Sequence, residues 1–392
     1  MNSDRPANHL PRLLETWRNE PTIAENIVQW YVDEAREPQY AGFPADLHNA
    51  IQMALTNAGI SALYAHQMDA WQAVRRGENI VVVTETASGK TLCYNLPVAQ
   101  AILENPGARA LYLFPTKALT YDQQKGLDRL SAAVAAYSPP GARGIGAGVY
   151  DGDTQVHRRS AIRGQSNIVL TNPDMLHTGI LPHHTNWADF FRGLRYVVID
   201  EIHTYRGVFG SHVANVIRRL KRVLRFYGAD PVFIMTSATI SNPGEHAQRL
   251  VEAPVTVIQR DGSPHGARHF LLYNPPVTDL NIGVRRSASQ ESIRLAGDLL
   301  TYQVQTILFG RARRSVEIIL KNLRHEASDQ AGQLHAYRSG YLPGERRAIE
   351  SGLRSGEVRA VVATNALELG IDIGGMDAVL LVGYPGTIAA TR

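Results

Sequence analysis

The sequence has 392 residues, 44% of them hydrophobic and 19% charged, with a formal net charge of +4 and a pI near 9.1. That length holds two or more domains, and no apolar stretch reaches the roughly 18 residues that a membrane-spanning helix needs. The opening Met1-Asn-Ser-Asp-Arg-Pro6 lacks the charged-then-apolar order of a secretion signal, and the single cysteine, Cys93, excludes a disulfide framework or a multi-cysteine zinc site within the chain, so a cytoplasmic protein is the simplest reading.

Residues 1 to about 75 read as a helical region. Leu13, Leu14 and Trp17, then Ile27, Trp30 and Tyr31, recur at helical spacing, and Pro21, Pro38 and Pro44 punctuate them. From 76 to 259, short apolar runs at 80–83, 110–114, 168–171, 196–199, 232–235 and 255–258 alternate with helical stretches. Such alternation predicts a parallel sheet with helices on both faces. The stretch 139–148 reads as an exposed loop inside this unit. Residues 260–267 break the pattern and read as a linker. The alternation resumes at 269–273, 306–309, 360–363 and 378–382, within a second unit spanning 268–392. The fold class is therefore α/β, two parallel-sheet units in series behind an N-terminal helical extension.

Within the first unit, Thr84-Glu-Thr-Ala-Ser-Gly-Lys-Thr91 follows the run 80–83 and precedes Leu92-Cys-Tyr-Asn-Leu96. A β-branched strand, a tight loop ending Gly-Lys-Thr, then a helix is the layout of a phosphate-binding loop. Thr84, Thr86, Ala87, Ser88 and Gly89 would supply backbone N–H groups aimed at one anionic spot. Lys90 would add a full charge toward the β- and γ-phosphates, and the Thr91 hydroxyl suits a magnesium ion. One departure stands out: the pattern asks for glycine where this chain has Thr84.

The run 196–199 ends in Asp200-Glu-Ile-His203. Adjacent acids at the C-terminal end of a buried strand fit magnesium-assisted hydrolysis. Asp200 would hold the metal, and Glu201 would orient and deprotonate a water. Ser237-Ala-Thr239 closes the run 232–235 and offers small hydroxyls that could link a γ-phosphate to the second unit.

With these motifs in this order, the chain resembles a superfamily 2 helicase of the DExH type over roughly residues 60 to 392. Under that resemblance the two sheet units are RecA-like domains, and ATP with Mg²⁺ is the cofactor pair. Gln67, within Leu63-Tyr-Ala-His-Gln-Met-Asp-Ala70, is the adenine reader, and His203, Ser237 and Thr239 couple nucleotide to movement. Pro115-Thr-Lys-Ala-Leu119, Tyr150-Asp-Gly152 and Thr171-Asn-Pro-Asp174 look like strand-binding segments, which implicates Thr116, Lys117, Gly152, Thr171, Pro173 and Asp174. In the second unit, Arg311, Tyr337, Arg338, Thr364 and Asn365 would touch the nucleic-acid backbone. Gly370 and Asp372 would face the nucleotide. Asp200-Glu-Ile-His-Thr-Tyr-Arg-Gly-Val-Phe-Gly-Ser-His212, Tyr337-Arg-Ser-Gly-Tyr341 and Gly383-Tyr-Pro-Gly-Thr387 are similar to the subgroup of bacterial mitomycin-repair helicases and their fungal RecQ-like relatives. That subgroup implies 3′-to-5′ movement on single-stranded or partly duplex DNA, a role in repair alongside other repair proteins, and a C-terminal four-cysteine zinc domain.

The sequence stops at Arg392, where the family's sixth motif, with its arginine fingers, would begin. The chain thus reads as a fragment with an incomplete second domain and no zinc, expected to bind ATP·Mg²⁺ and hydrolyse it poorly. Two other functions fit the same motifs: an RNA helicase or remodeller, because backbone contacts do not read the 2′-OH, and a nucleotide-gated binding module that does not hydrolyse.

Overall fold

Four consecutive β-branched residues at Ile80–Val83 are buried without exception. A strand covered on both faces shows such an unbroken apolar run, whereas a half-exposed one alternates. Ile168–Thr171 is likewise buried throughout, and Arg109–Leu113 and Leu194–Ile199 are buried over Ala110–Leu113 and Val197–Ile199. The computed structural model describes residues 9–141, 144–338, 340–364 and 375–386. It divides the chain into two units: Ala35–Gly266, and the described residues before Ala35 together with those after Gly266.

In the unit Ala35–Gly266, seven strands form one sheet. Their order is Thr256–Ile258, Ile80–Val83, Val232–Ser237, Leu194–Ile199, Arg109–Leu113, Ile168–Thr171, Ala147–Val149, and every neighbouring pair is parallel. Alternate residues of each strand enter one of two cores. Ile80, Val82, Ala110, Tyr112 and Ile234 pack with the helices Asn49–Asn57, Ala65–Arg75, Lys90–Glu104 and Lys117–Ala136. Val81, Leu111, Val197, Phe233 and Met235 pack with Gly207–Phe226 and Pro243–Val251 on the other face. The strand Ala147–Val149 begins inside the stretch expected to be loop, and is a short edge strand on Ile168–Thr171.

The other unit has a four-stranded parallel sheet ordered Leu334–Tyr337, Ala360–Ala363, Thr306–Phe309, Ala378–Leu381. Its helices include Ala288–Thr301, Arg313–Glu326 and Pro343–Ser355. The N-terminal helix Leu10–Asn19 belongs to this unit. Leu13, Leu14 and Trp17 pack with Leu295, Leu299 and Val304, and Trp17 Nε1 donates to Asp298 at 3.0 Å. The expectation of one helical region over 1–75 is therefore corrected. Ile27–Asp33 is a strand, paired antiparallel with Arg268–Tyr273. Three apolar positions fit a helix or a strand equally in so short a window; a partner some 240 positions away in sequence decides, because cross-strand packing sets β preference.

Residues 260–266, where the first unit ends, are anchored to it. Ser263 is buried, and the Gln39 and Gly262 N–H groups donate to Gly262 O and His66 Nδ1. No described helix is long and apolar enough to cross a membrane.

Candidate functional site

The phosphate-loop sequence occupies the turn between the strand Ile80–Val83 and the helix Lys90–Glu104. Gly89 caps that helix with φ of 81°, and a Cβ there would fall 2.7 Å from Gln67 Nε2. Only glycine serves on both counts. Ala87 also takes a left-handed φ, 62°, a strained choice for a residue with a side chain. Thr84 explains its own departure from the pattern. Its φ is not positive, so glycine is not required, and its buried Oγ1 lies 2.6 Å from Ser88 Oγ, stitching the loop across its base. Thr86 and Ala87 are exposed at the tip. Lys90 Nζ donates to the carbonyls of Thr84 at 2.8 Å and Glu85 at 2.7 Å. Burial lowers its pKa, while Glu201, Asp200 and Asp261 pull it back up. Thr91 opens the helix beside Lys90 and is partly exposed.

The strand Val232–Ser237 lies between Ile80–Val83 and Leu194–Ile199, so the loop and Asp200-Glu201 leave the same edge of the sheet one strand apart. Asp200 is buried. Its Oδ1 accepts a short hydrogen bond from Thr236 Oγ1 and another from the Glu201 N–H at 3.1 Å. Burial raises its pKa against these bonds and Lys90. Glu201 sits at φ 54°, left-handed; that outlier is strain held at the acid pair. Burial first, then the Asp200 charge, pushes Glu201 up to about 7, with Lys90 opposing. Glu201 Oε2 is buried without a hydrogen-bond partner.

His203 Nδ1 lies 3.2 Å from Glu201 Oε2, yet the pair is not ionic. That nitrogen accepts the Ala238 N–H at 3.2 Å, and burial, with Arg206 and Lys90 nearby, lowers the imidazole to about 4. A neutral His203 thus braces the Ser237-Ala-Thr239 turn and leaves Glu201 Oε2 unbonded beside it; in that turn Ser237 Oγ is buried and unpartnered and Thr239 is exposed. Gln67 is buried. Its oxygen accepts from Tyr64 N at 2.9 Å at the start of its own helix, and its nitrogen donates to Gly89 O at 3.1 Å, so one end is fixed and the other braces the loop.

The other half of that edge, beyond Arg109–Leu113, Ile168–Thr171 and Ala147–Val149, carries the expected strand-binding segments. Thr116 caps the helix Lys117–Ala136, its Oγ1 accepting from Leu119 N at 3.3 Å. Lys117 pairs with Asp153 at 2.8 Å, both partners well exposed, and a Cβ at Gly152 would lie 3.6 Å from Lys117 Nζ. Pro173 is buried and Asp174 exposed. Thr171 does not present its hydroxyl outward as expected: it is fully buried, and its hydroxyl donates to Tyr150 O at 2.6 Å.

In the smaller unit, Tyr337 is corrected in the same way. The last residue of a buried strand, it faces the core with Ile307, Ile349 and Leu353, and its hydroxyl donates to Glu350 at 2.8 Å. Arg338 is nearer the surface, bonded to Glu317 at 2.8 Å and stacked over Tyr341. Arg311 is exposed; Thr364 is buried, its N–H on Tyr337 O. Asn365, Gly370 and Asp372 lie outside the described residues. Sequence reasoning missed Thr236, although a polar residue ending the apolar run 232–235 was the available signal. It also passed over Asp261 and His66, whose bonds beside the loop are to the main-chain N–H groups of Glu85 and Gly262 and leave no side-chain motif.

A partly buried lysine, a buried and a half-buried carboxylate and a glycine-capped helix start on one sheet edge define a RecA-like nucleotide-binding domain. Residues 64–246 match the family model for DEAD/DEAH box helicases, and residues 291–391 match the helicase conserved C-terminal domain. The chain belongs to the superfamily 2 helicases, in the group of MrfA and Hrq1. It is 51% identical over 368 residues to ATP-dependent helicase YprA of Bacillus subtilis, covering 93% of this chain and 48% of that one. It is 37% identical over 388 residues to ATP-dependent helicase HRQ1 of Saccharomyces cerevisiae, covering 97% and 35%. A crystal structure of the DUF1998 helicase MrfA bound to DNA and AMPPNP matches with a TM-score of 0.91 at 49% identity, over 97% of this chain and 52% of that one. The chain thus spans about half the length, or less, of these relatives.

Proposed function

We propose that this chain carries the motor of an ATP-dependent DNA helicase, moving 3′ to 5′ on one strand in the service of DNA repair. The observation that supports it most is the shared sheet edge of Lys90, Asp200 and Glu201, whose charges act on one another. Lys90 would leave the Thr84 and Glu85 carbonyls to meet a β- or γ-phosphate. Glu201, with a pKa near neutrality and an unpartnered oxygen, is suited to take a proton from an attacking water. The oxygen donors of Asp200 and Thr91 fit a magnesium ion, since Asp200 spends only Oδ1 on the protein bonds described above. When bound there, the ion would neutralise charge on the phosphates. Gln67 is positioned to report adenine occupancy to Gly89 through its amide.

Along the other half of the edge, Thr116, Lys117 and the Gly152 main chain would grip phosphates without reading sequence. DNA as the strand is supported by the MrfA complex; polarity and the repair role rest on the subgroup resemblance. A cytoplasmic setting, with ATP and DNA both at hand, is part of this reading, as are repair proteins as partners.

The test is ATP turnover of the purified protein with single-stranded DNA, with RNA and with neither. Stimulation by DNA on the order of tenfold, a typical coupling between two ligands, is expected. Equal stimulation by RNA would favour an RNA remodeller. Nucleotide binding without turnover under any condition would leave a gated binding module.

A further inference from the structure

The peptide between Thr84 and Glu85 is held from both sides. Its carbonyl oxygen, on Thr84, accepts from Lys90 Nζ at 2.8 Å. Its N–H, on Glu85, donates to Asp261 Oδ2 at 3.1 Å. Asp261 lies 176 residues further along, in the stretch 260–266 that leads out of the unit at Gly266. It is itself fixed in place. Its Oδ1 accepts from Ser263 N at 2.9 Å and from Ser263 Oγ at 2.7 Å, and Arg36 stands 3.5 Å from Oδ2.

The residue after it is locked as well. The Gly262 N–H donates to His66 Nδ1 at 3.2 Å, Gly262 O accepts from Gln39 N at 2.8 Å, and Arg36 Nε donates to Ser263 O at 3.2 Å. A Cβ on Gly262 would meet Ala65 N at 2.8 Å and Gln39 O at 2.9 Å, main-chain atoms that cannot step aside. His66 Nδ1 accepts a hydrogen bond from the Gly262 N–H, so its 3.8 Å approach to Asp261 is a contact between a neutral ring and a carboxylate. The strap therefore touches both arms of the nucleotide site: the phosphate loop through Asp261, and the start of the Gln67 helix through Gly262.

We infer that Asp261 is a positioning residue for Lys90: it orients the Thr84–Glu85 peptide, and through that peptide the lysine's engagement with a phosphate is felt in the strap that leaves the unit. A lysine moving from the Thr84 carbonyl to a phosphate relieves one side of a peptide whose other side is pinned by a carboxylate. Asn at 261 keeps the shape but halves the acceptors, so either Glu85 or Ser263 loses its oxygen. The inference rests on the nucleotide-binding reading above, and the experiment separates the two.

The affinity of a fluorescent ATP analogue is measured for the wild type, Asp261→Asn, Lys90→Ala and the double variant. Asp261→Asn should weaken binding about tenfold when Lys90 is present and less than about twofold when it is absent, the non-additivity expected of residues acting as a unit. A purely structural Asp261 would lower affinity equally in both backgrounds, and that outcome overturns the inference, as does an unchanged affinity in Asp261→Asn. If no variant including the wild type binds the analogue, the nucleotide reading itself fails. Should Asp261→Asn lower the melting temperature, Ser263→Ala, which removes one of the donors to Asp261 and keeps its charge, should show the same Lys90-dependent loss at smaller amplitude. Its absence there would also overturn the inference.

Discussion

The two halves of one sheet edge are built differently. Beyond strands 80–83, 232–237 and 194–199 the groups are covered or strained: Ala87 and Glu201 with left-handed backbones, Asp200 buried, Lys90 folded onto main-chain carbonyls. Beyond strands 109–113, 168–171 and 147–149 the chain offers an ordinary cap at Thr116 and a well-exposed ion pair between Lys117 and Asp153. Charge in a low dielectric is strong and directional, which suits chemistry at one phosphate. Charge in water is weak and screened, which suits a backbone that must be gripped and released. The same scaffold thus supplies a fixed half and a yielding half, separated by the boundary between strands 194–199 and 109–113.

The contrast is sharpest at Lys90. Lys90→Ala should cut turnover on the order of 10³-fold, the scale of removing one preorganised charge from a transition state, while leaving DNA binding without nucleotide within about twofold. Steady-state kinetics and fluorescence anisotropy read both. Next comes Glu201→Gln. It should lower kcat on the order of 10²-fold or more while retaining ATP analogue binding, as expected for loss of a general base.

The wild-type pH profile should show a limb near pH 7, because Glu201 is pushed up to about 7 and acts as a base only when ionised; Glu201→Gln should abolish that limb. The sign for stability is opposite. A carboxylate with a raised pKa favours the fold at low pH, and that contribution is lost as pH climbs from the ordinary glutamate range through about 7. Thr171→Val should cost about 1–3 kcal/mol of stability by leaving Tyr150 O unpaired in the interior, visible by denaturant melting, with the salt dependence of DNA binding unchanged. The smallest effect belongs to the exposed half. Lys117→Ala should weaken DNA binding a few-fold and reduce the salt slope by about one, leaving kcat at saturating DNA intact. A large kcat loss there would erase the contrast.

Much of the sheet was legible because strands buried on both faces appear as apolar runs. Five of the six runs read in the first unit begin within one residue of the observed strands, and the sixth, at 196, begins two residues late. Ile27–Asp33 was not legible as a strand, since its partner Arg268–Tyr273 is remote in sequence and local spacing favoured neither form. Among the candidate site residues, types and spacing singled out Lys90, Asp200 and Glu201, which the strand order sets along one sheet edge. Orientation was what sequence could not supply: Thr171 and Tyr337 have the right chemistry for a phosphate contact, but the strand registers turn both inward. Asp261 was read only as part of a linker, because its contact with the loop is to the Glu85 amide, which no side-chain motif marks.

The most direct check on the shared edge is a crystal structure of this protein with a non-hydrolysable ATP analogue and Mn²⁺ standing in for Mg²⁺. The account predicts the terminal phosphates beside Lys90 Nζ, moved off the Thr84 carbonyl, with anomalous density for the metal at Asp200 and Thr91. Phosphates bound away from Lys90, or a metal held by other residues, would contradict it.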